Sequence, residues 1–106
     1  MNARELTEVI TGATLDLIHE VAIERLHFSK DGSVSCTAGA KDGPICAPLL
    51  KYVVTAEGGL LLTHCGKEWE SWSDVALRDG VLTANLGARA KSYRYTGRTS
   101  KTGRAP

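Results

Sequence analysis

Residues 49–72 read LLKYVVTAEGGLLLTHCGKEWESW, and their pattern decides the fold class. Tyr52, Val53, Val54 and Thr55 favour a strand. Ala56-Glu57-Gly58-Gly59 then turns the chain back into Leu60, Leu61 and Leu62, and Gly66-Lys67 turns it again into a run ending at Trp72. Three short strands separated by tight turns predict an antiparallel meander. On a strand, Leu60, Leu62 and His64 share one face and Leu61, Thr63 and Cys65 the other. Both faces are apolar, so both are expected to be covered. The outer face would then take the N-terminal helix or a second copy of the chain.

The meander continues on both sides. Downstream, 68–72 extends through Val75 and Leu77 to the hairpin turn Arg78-Asp79-Gly80. Strands at 81–86 and 91–95 follow, with Gly87 between them. Upstream, 38–48 is a loop with two glycines and two prolines, and Lys30-Asp31-Gly32 is a hairpin turn before a strand at 33–37. Residues 13–28 support two readings. Leu15, Ile18, Ala22 and Leu26 lie at near-helical spacing, whereas 19–24 alternate. A strand over 20–28 is preferred because a hairpin turn follows it, with a bulge near Glu24-Arg25 to reconcile Val21 and Ile23 with Leu26 and Phe28. Residues 3–10 predict a short helix that ends at Thr11-Gly12.

A chain of 106 residues is expected to form one domain over 1–95, with a disordered basic tail over 96–106. Its 42% hydrophobic and 24% charged content is ordinary globular usage, which excludes wholesale disorder. A formal net charge of +1 gives no global attraction to nucleic acid or anionic membrane. No run of ~18 apolar residues predicts a transmembrane helix. The chain is expected to be cytoplasmic, with export after signal removal as the alternative.

The turn-flanked strand pairs 28–34, 54–60 and 77–82, each centred on an Asp-Gly or Glu-Gly, resemble those of small lipocalin-like, calycin-type meanders. So does Val9-Ile10-Thr11-Gly12-Ala13, where a short helix leads into the first strand. The resemblance implies a small closed barrel or a strongly bent meander. It assigns no residue a role.

The chemistry-bearing residues are sparse. Cys36, Cys46 and Cys65 are too far apart for zinc pairs. They are expected to be reduced thiols, with a Cys36–Cys46 disulfide as the alternative. His64 and Cys65 would point to opposite faces of a strand, which denies them a nucleophilic pair. His19 and His27, ~26 Å apart on a strand and ~12 Å apart on a helix, cannot bind one metal together, and a three-histidine site would also need His64 from a distant strand, so no metal is expected. Glu68 and Glu70 share a face at ~7 Å, compatible with paired-acid chemistry, but solvent-facing acids are commoner. No catalytic or cofactor motif is present, so neither enzyme activity nor a cofactor is expected. Arg89, Lys91 and Arg94 interleave with Tyr93 and Tyr95, a pattern that can serve nucleic acid, although no such partner is expected here.

The sequence therefore predicts a mainly β protein of six to eight strands with a short N-terminal helix. It is expected to bind a small apolar or aromatic ligand without catalysis, in a cavity lined by Val53, Leu61, Trp69, Leu77 and Tyr93. Trp72 is expected outward or at a rim, as a pocket wall or an interface anchor. The alternative is an interaction module that homodimerises or docks a partner through the Leu60–Leu62 face.

Overall fold

The computed structural model describes residues 1–97. Helix α1 spans Ala3–Ile10, and the strands are β1 Thr14–Leu17, β2 Ala22–Phe28, β3 Ser33–Ala40, β4 Ile45–Cys46 and β5 Leu49–Val54. They continue as β6 Leu60–His64, β7 Lys67–Arg78, β8 Val81–Leu86 and β9 Arg89–Thr96. All pairings are antiparallel. Neighbours run β1, β2, β3, β5, β6, β7, β8, β9, and β9 pairs back onto β1, which closes an eight-stranded barrel. The two-residue β4 only edges the end of β3, at Ala38↔Cys46 and Gly39↔Ile45. Thr96 ends the last strand, and the rest of the basic tail read from 96–106 lies outside the described residues beyond Gly97. Among the described residues, no helix is long and apolar enough to cross a membrane.

Helix α1 plugs one end of the barrel. Asn2 and Glu5 form a reciprocal capping box: Asn2 accepts from the Glu5 amide at 2.8 Å, and Glu5 accepts from the Asn2 amide at 3.1 Å. Leu6 and Ile10, one turn apart, are completely buried. The Tyr95 hydroxyl donates to the Val9 carbonyl at 2.7 Å, tying the last strand to the helix. Gly58, at φ +87°, lets the β5–β6 turn lie against the Met1 carbonyl, where any side chain would collide.

Above the helix an aromatic cluster fills the lumen. Trp72 stacks on Tyr93 with ring centroids 5.3 Å apart, and Phe28 meets Trp72 and Tyr52 edge-on at 6.4 and 5.1 Å. Leu15, Leu26, Val34, Leu50, Leu60, Leu62 and Leu82 complete the core.

Three expectations are corrected here. Residues 13–28 are two strands joined by a loop: Leu15 and Leu26, which mimic helical spacing, are cross-strand partners. β2 carries no bulge, because its register with β3 runs unbroken from Ala22↔Ala40 to Phe28↔Val34. Glu24 therefore faces inward with Leu26 and Phe28. β7, by contrast, is not regular at 73–74. Asp74 takes φ +50°, its carboxylate accepts from the Asn85 side chain at 3.0 Å, and the ladder to β8 skips between Ser73 and Ala76. The extra residue puts Trp72 and Val75 on the same inner face, so Trp72 is buried rather than outward.

Candidate functional site

The end of the barrel away from helix α1 holds charged side chains where alternation would place apolar ones. Glu24 on β2, Glu70 on β7 and Lys91 on β9 all point into the lumen, and Lys91 joins the two carboxylates across it. Its ammonium donates to Glu24 Oε1 at 2.9 Å and to Glu70 Oε2 at 2.7 Å. The remaining oxygens are also engaged: the Tyr93 hydroxyl donates to Glu24 Oε2 at 2.7 Å, and Trp72 Nε1 donates to Glu70 Oε1 at 2.9 Å. The network thus rests on the aromatic stack beneath it. The side chains of Lys91, Glu24 and Glu70 are only 16%, 12% and 16% exposed, so solvent screens them weakly.

Burial alone would lower the Lys91 pKa. The hydrogen bonds and charges of Glu70 and Glu24 outweigh it and hold the ammonium above the ordinary lysine value. Burial, and then the Glu24 carboxylate, push the Tyr93 phenol far above its ordinary value, so it remains a donor at any physiological pH. Cys36 faces the same lumen. Burial first and Glu24 second raise its thiol to about 11.

Clefts lie on both sides of this network. One, of about 610 Å³, lies at the rim and is lined by Leu17, Ile18, Ala22, Ile23 and Glu24, with His19, Lys41, Arg25 and Arg94 among its polar groups. Ile23, Arg25 and Arg94 stand on the outer face, in alternation with Glu24 and Tyr93. The other, of about 490 Å³, runs between β7 and the β8–β9 turn and includes Glu68, Trp69, Glu70, Leu86 and Arg89. His19 stands in the loop before β2, where its Nδ1 accepts from the Val21 and Ala22 amides at 3.1 and 2.9 Å.

Of the residues expected to line a cavity, Trp72 and Tyr93 meet in this network. Leu77 is half-buried against the core on the helix side of the Asp74 bulge. Val53, Leu61 and Trp69 do not face the lumen. Val53 is 58% exposed, Leu61 lies opposite it on the outer face, and Trp69 is 42% exposed with its ring edge-on to His64 at 5.6 Å. Trp69 is the extra residue where the β6–β7 register slips between Leu62 and Thr63, which turns it out. Tyr93 and Tyr95 both point inward, so neither offers a stacking surface to nucleic acid.

His64 and Cys65 also depart from expectation. β6 ends at His64, and Cys65-Gly66 forms a tight turn with φ +54° and +80°. That turn brings Cys65 Sγ within 3.8 Å of His64 Nε2 at an exposed hairpin tip. All three thiols are free, which removes the Cys36–Cys46 disulfide. Iodoacetamide at neutral pH is expected to label Cys46 and Cys65 in the native protein and to reach Cys36 only after unfolding. Peptide mass spectrometry reads this directly, and rapid native labelling of Cys36 would show that the lumen opens.

The sequence reading named Glu70 beside Glu68 as a paired-acid candidate and Lys91 in a basic strand, but missed Glu24 and the convergence of all three in the lumen. Their signal was present as strand phase. Glu24 alternates with Leu26 and Phe28, Glu70 with Trp72, and Lys91 with Tyr93 and Tyr95. Comparison with family models, curated proteins and solved structures finds no match to this chain.

Proposed function

We propose that the chain is a non-enzymatic binding protein of lipocalin-like architecture that takes a small molecule with an apolar or aromatic body at the end of the barrel opposite helix α1. One observation carries this reading. Three charged side chains point into the lumen at that end, and one of them, Glu24, belongs to a residue that also lines a cleft of about 610 Å³ with an apolar wall. An ion triad contributes little to stability compared with an apolar core of the same shape. Its placement is better explained by a site at this rim, where Glu24 also lines the cleft, since ligand pockets combine apolar walls with a few fixed polar groups. The aromatic stack below fills the lumen, so the ligand sits at the mouth rather than in the middle of the barrel.

The test uses a neutral polarity-sensitive dye, Nile red. It is expected to bind one per chain with blue-shifted emission. Ile23→Glu, which puts a charge in the wall at a half-exposed position, is expected to weaken it by at least about tenfold. Unchanged binding in Ile23→Glu would place the dye elsewhere and remove the reading.

A second reading rests on the outer face of β5–β7, where exposed Val53 pairs with Leu61 and Leu49 is also exposed. A homodimer through this face predicts a twofold mass at micromolar concentration that Val53→Lys abolishes. Sedimentation showing only monomer would dismiss it.

A further inference from the structure

We infer that the ligand of this site is an organic anion, an apolar body carrying a carboxylate, whose charged end is received by Arg94, Lys41 and the free ring nitrogen of His19. The inference rests on the binding reading above and adds the chemistry of the ligand. It follows from asking which polar groups of the 610 Å³ cleft already have partners.

The acceptors are engaged. Asp16 takes two bonds from Arg25, Nε to Oδ1 at 2.7 Å and a terminal guanidinium nitrogen to Oδ2 at 3.2 Å. Glu24 takes Lys91 on one oxygen and Tyr93 on the other. The donors are not. None of the ion pairs among the described residues includes Arg94 or Lys41. Arg94 stands opposite Asp16 in the β1–β9 ladder, yet Asp16 spends both oxygens on Arg25 from the other side. His19 accepts two backbone amides at Nδ1, so Nδ1 carries no proton and the neutral ring bears it on Nε2, as a donor. Apart from the Thr37 hydroxyl, which can donate or accept, the side chains of the cleft left without a partner are donors, two of them cations. An acceptor-only anionic group complements them, and Arg94 can meet a carboxylate with two parallel bonds. Leu17, Ile18 and Ile23 are left for the apolar body. An amine would instead meet the unpaired cations Arg94 and Lys41.

Competition against bound Nile red separates the possibilities, using octanoate, octanol and octylamine, which share one chain and differ in the head group. Octanoate is expected to displace the dye at a concentration at least about tenfold below that of octanol, as one hydrogen bond to a charged group would supply. Added salt is expected to narrow the gap. The double variant Arg94→Gln, Lys41→Gln is expected to erase the octanoate advantage, so that octanoate and octanol displace the dye at similar concentrations relative to each other. Octylamine equalling octanoate, or a double variant that keeps the preference, would overturn the inference. Dye binding without any head-group preference overturns the ligand class alone, whereas failure of the dye to bind at all removes the binding reading and this inference with it.

Discussion

Lys91→Met is expected to lower folding stability by about 3–5 kcal/mol, the usual cost of removing one partner from a buried ion pair. Methionine fills much the same space, so packing is nearly conserved. What changes is that Glu24 and Glu70 each lose their shared cation and then face one another across a weakly screened lumen. Urea unfolding at neutral pH measures the loss. Converting all three residues together, Glu24→Gln, Glu70→Gln and Lys91→Met, is expected to recover most of it, because no uncompensated charge remains. A single-variant loss below about 1 kcal/mol would show that water screens the triad as it does a surface pair. The pH dependence has a fixed sign. Lys91 holds its proton more tightly folded than unfolded, so its contribution is complete below the ordinary lysine value of 10.5 and fades as pH rises through the higher folded value. The part of the difference between wild type and Lys91→Met that the Lys91 proton supplies is therefore expected to shrink on the alkaline side.

Trp72→Ala is expected to cost about 3–5 kcal/mol as well, for a different reason. The ring is 2% exposed and touches Tyr93 on one side and Phe28 on another, so truncation opens a cavity in the middle of the barrel. It also strips Glu70 of the Nε1 donor. Trp72→Phe separates the two effects. It keeps an aromatic ring and loses the hydrogen bond, which to a charged acceptor contributes about 1.5–3 kcal/mol. If Trp72→Ala lost less than about 1 kcal/mol, Trp72 would be an outer-face residue and the β7 bulge would be misplaced.

Much of the fold was legible. The turns at Asp31-Gly32, Gly58-Gly59 and Asp79-Gly80 mark three of the hairpins, because those positions demand conformations that few other residues take. The helix over 3–10 matches α1 residue for residue, whereas β6 has the opposite phase to the one expected: Leu60 and Leu62 are buried in the lumen and Leu61, expected to line the cavity, lies on the outer face. Phase also failed where a strand departs from regularity or where charge lies inside. The bulge at Asp74 has no apolar signature. It depends on an Asp in the left-handed region and on a partner, Asn85, eleven residues away. The bulge expected near Glu24-Arg25, which reconciles Val21 and Ile23 with Leu26 and Phe28, would put Glu24 on the face opposite Val21 and Ile23; the regular strand puts it inside, where a buried carboxylate is costly on its own. Its cost is offset by Lys91 and Tyr93, which lie 67 and 69 residues further along. Such compensation cannot be read from local alternation. The site was missed for the same reason: it is built from the three positions where the apolar pattern breaks on three separate strands.

The position of the binding site is tested most directly by backbone amide chemical shifts during titration with anilinonaphthalene sulfonate, an aromatic anion. The expected result is a saturable set of shifts at Leu17, Ala22, Ile23, Glu24 and Lys91, with Leu6, Ile10 and Tyr52 at the helix end unmoved. Shifts centred instead on Val53, Leu61 and Trp69, or no saturable shifts at all, would contradict a ligand site at the charged end of the barrel.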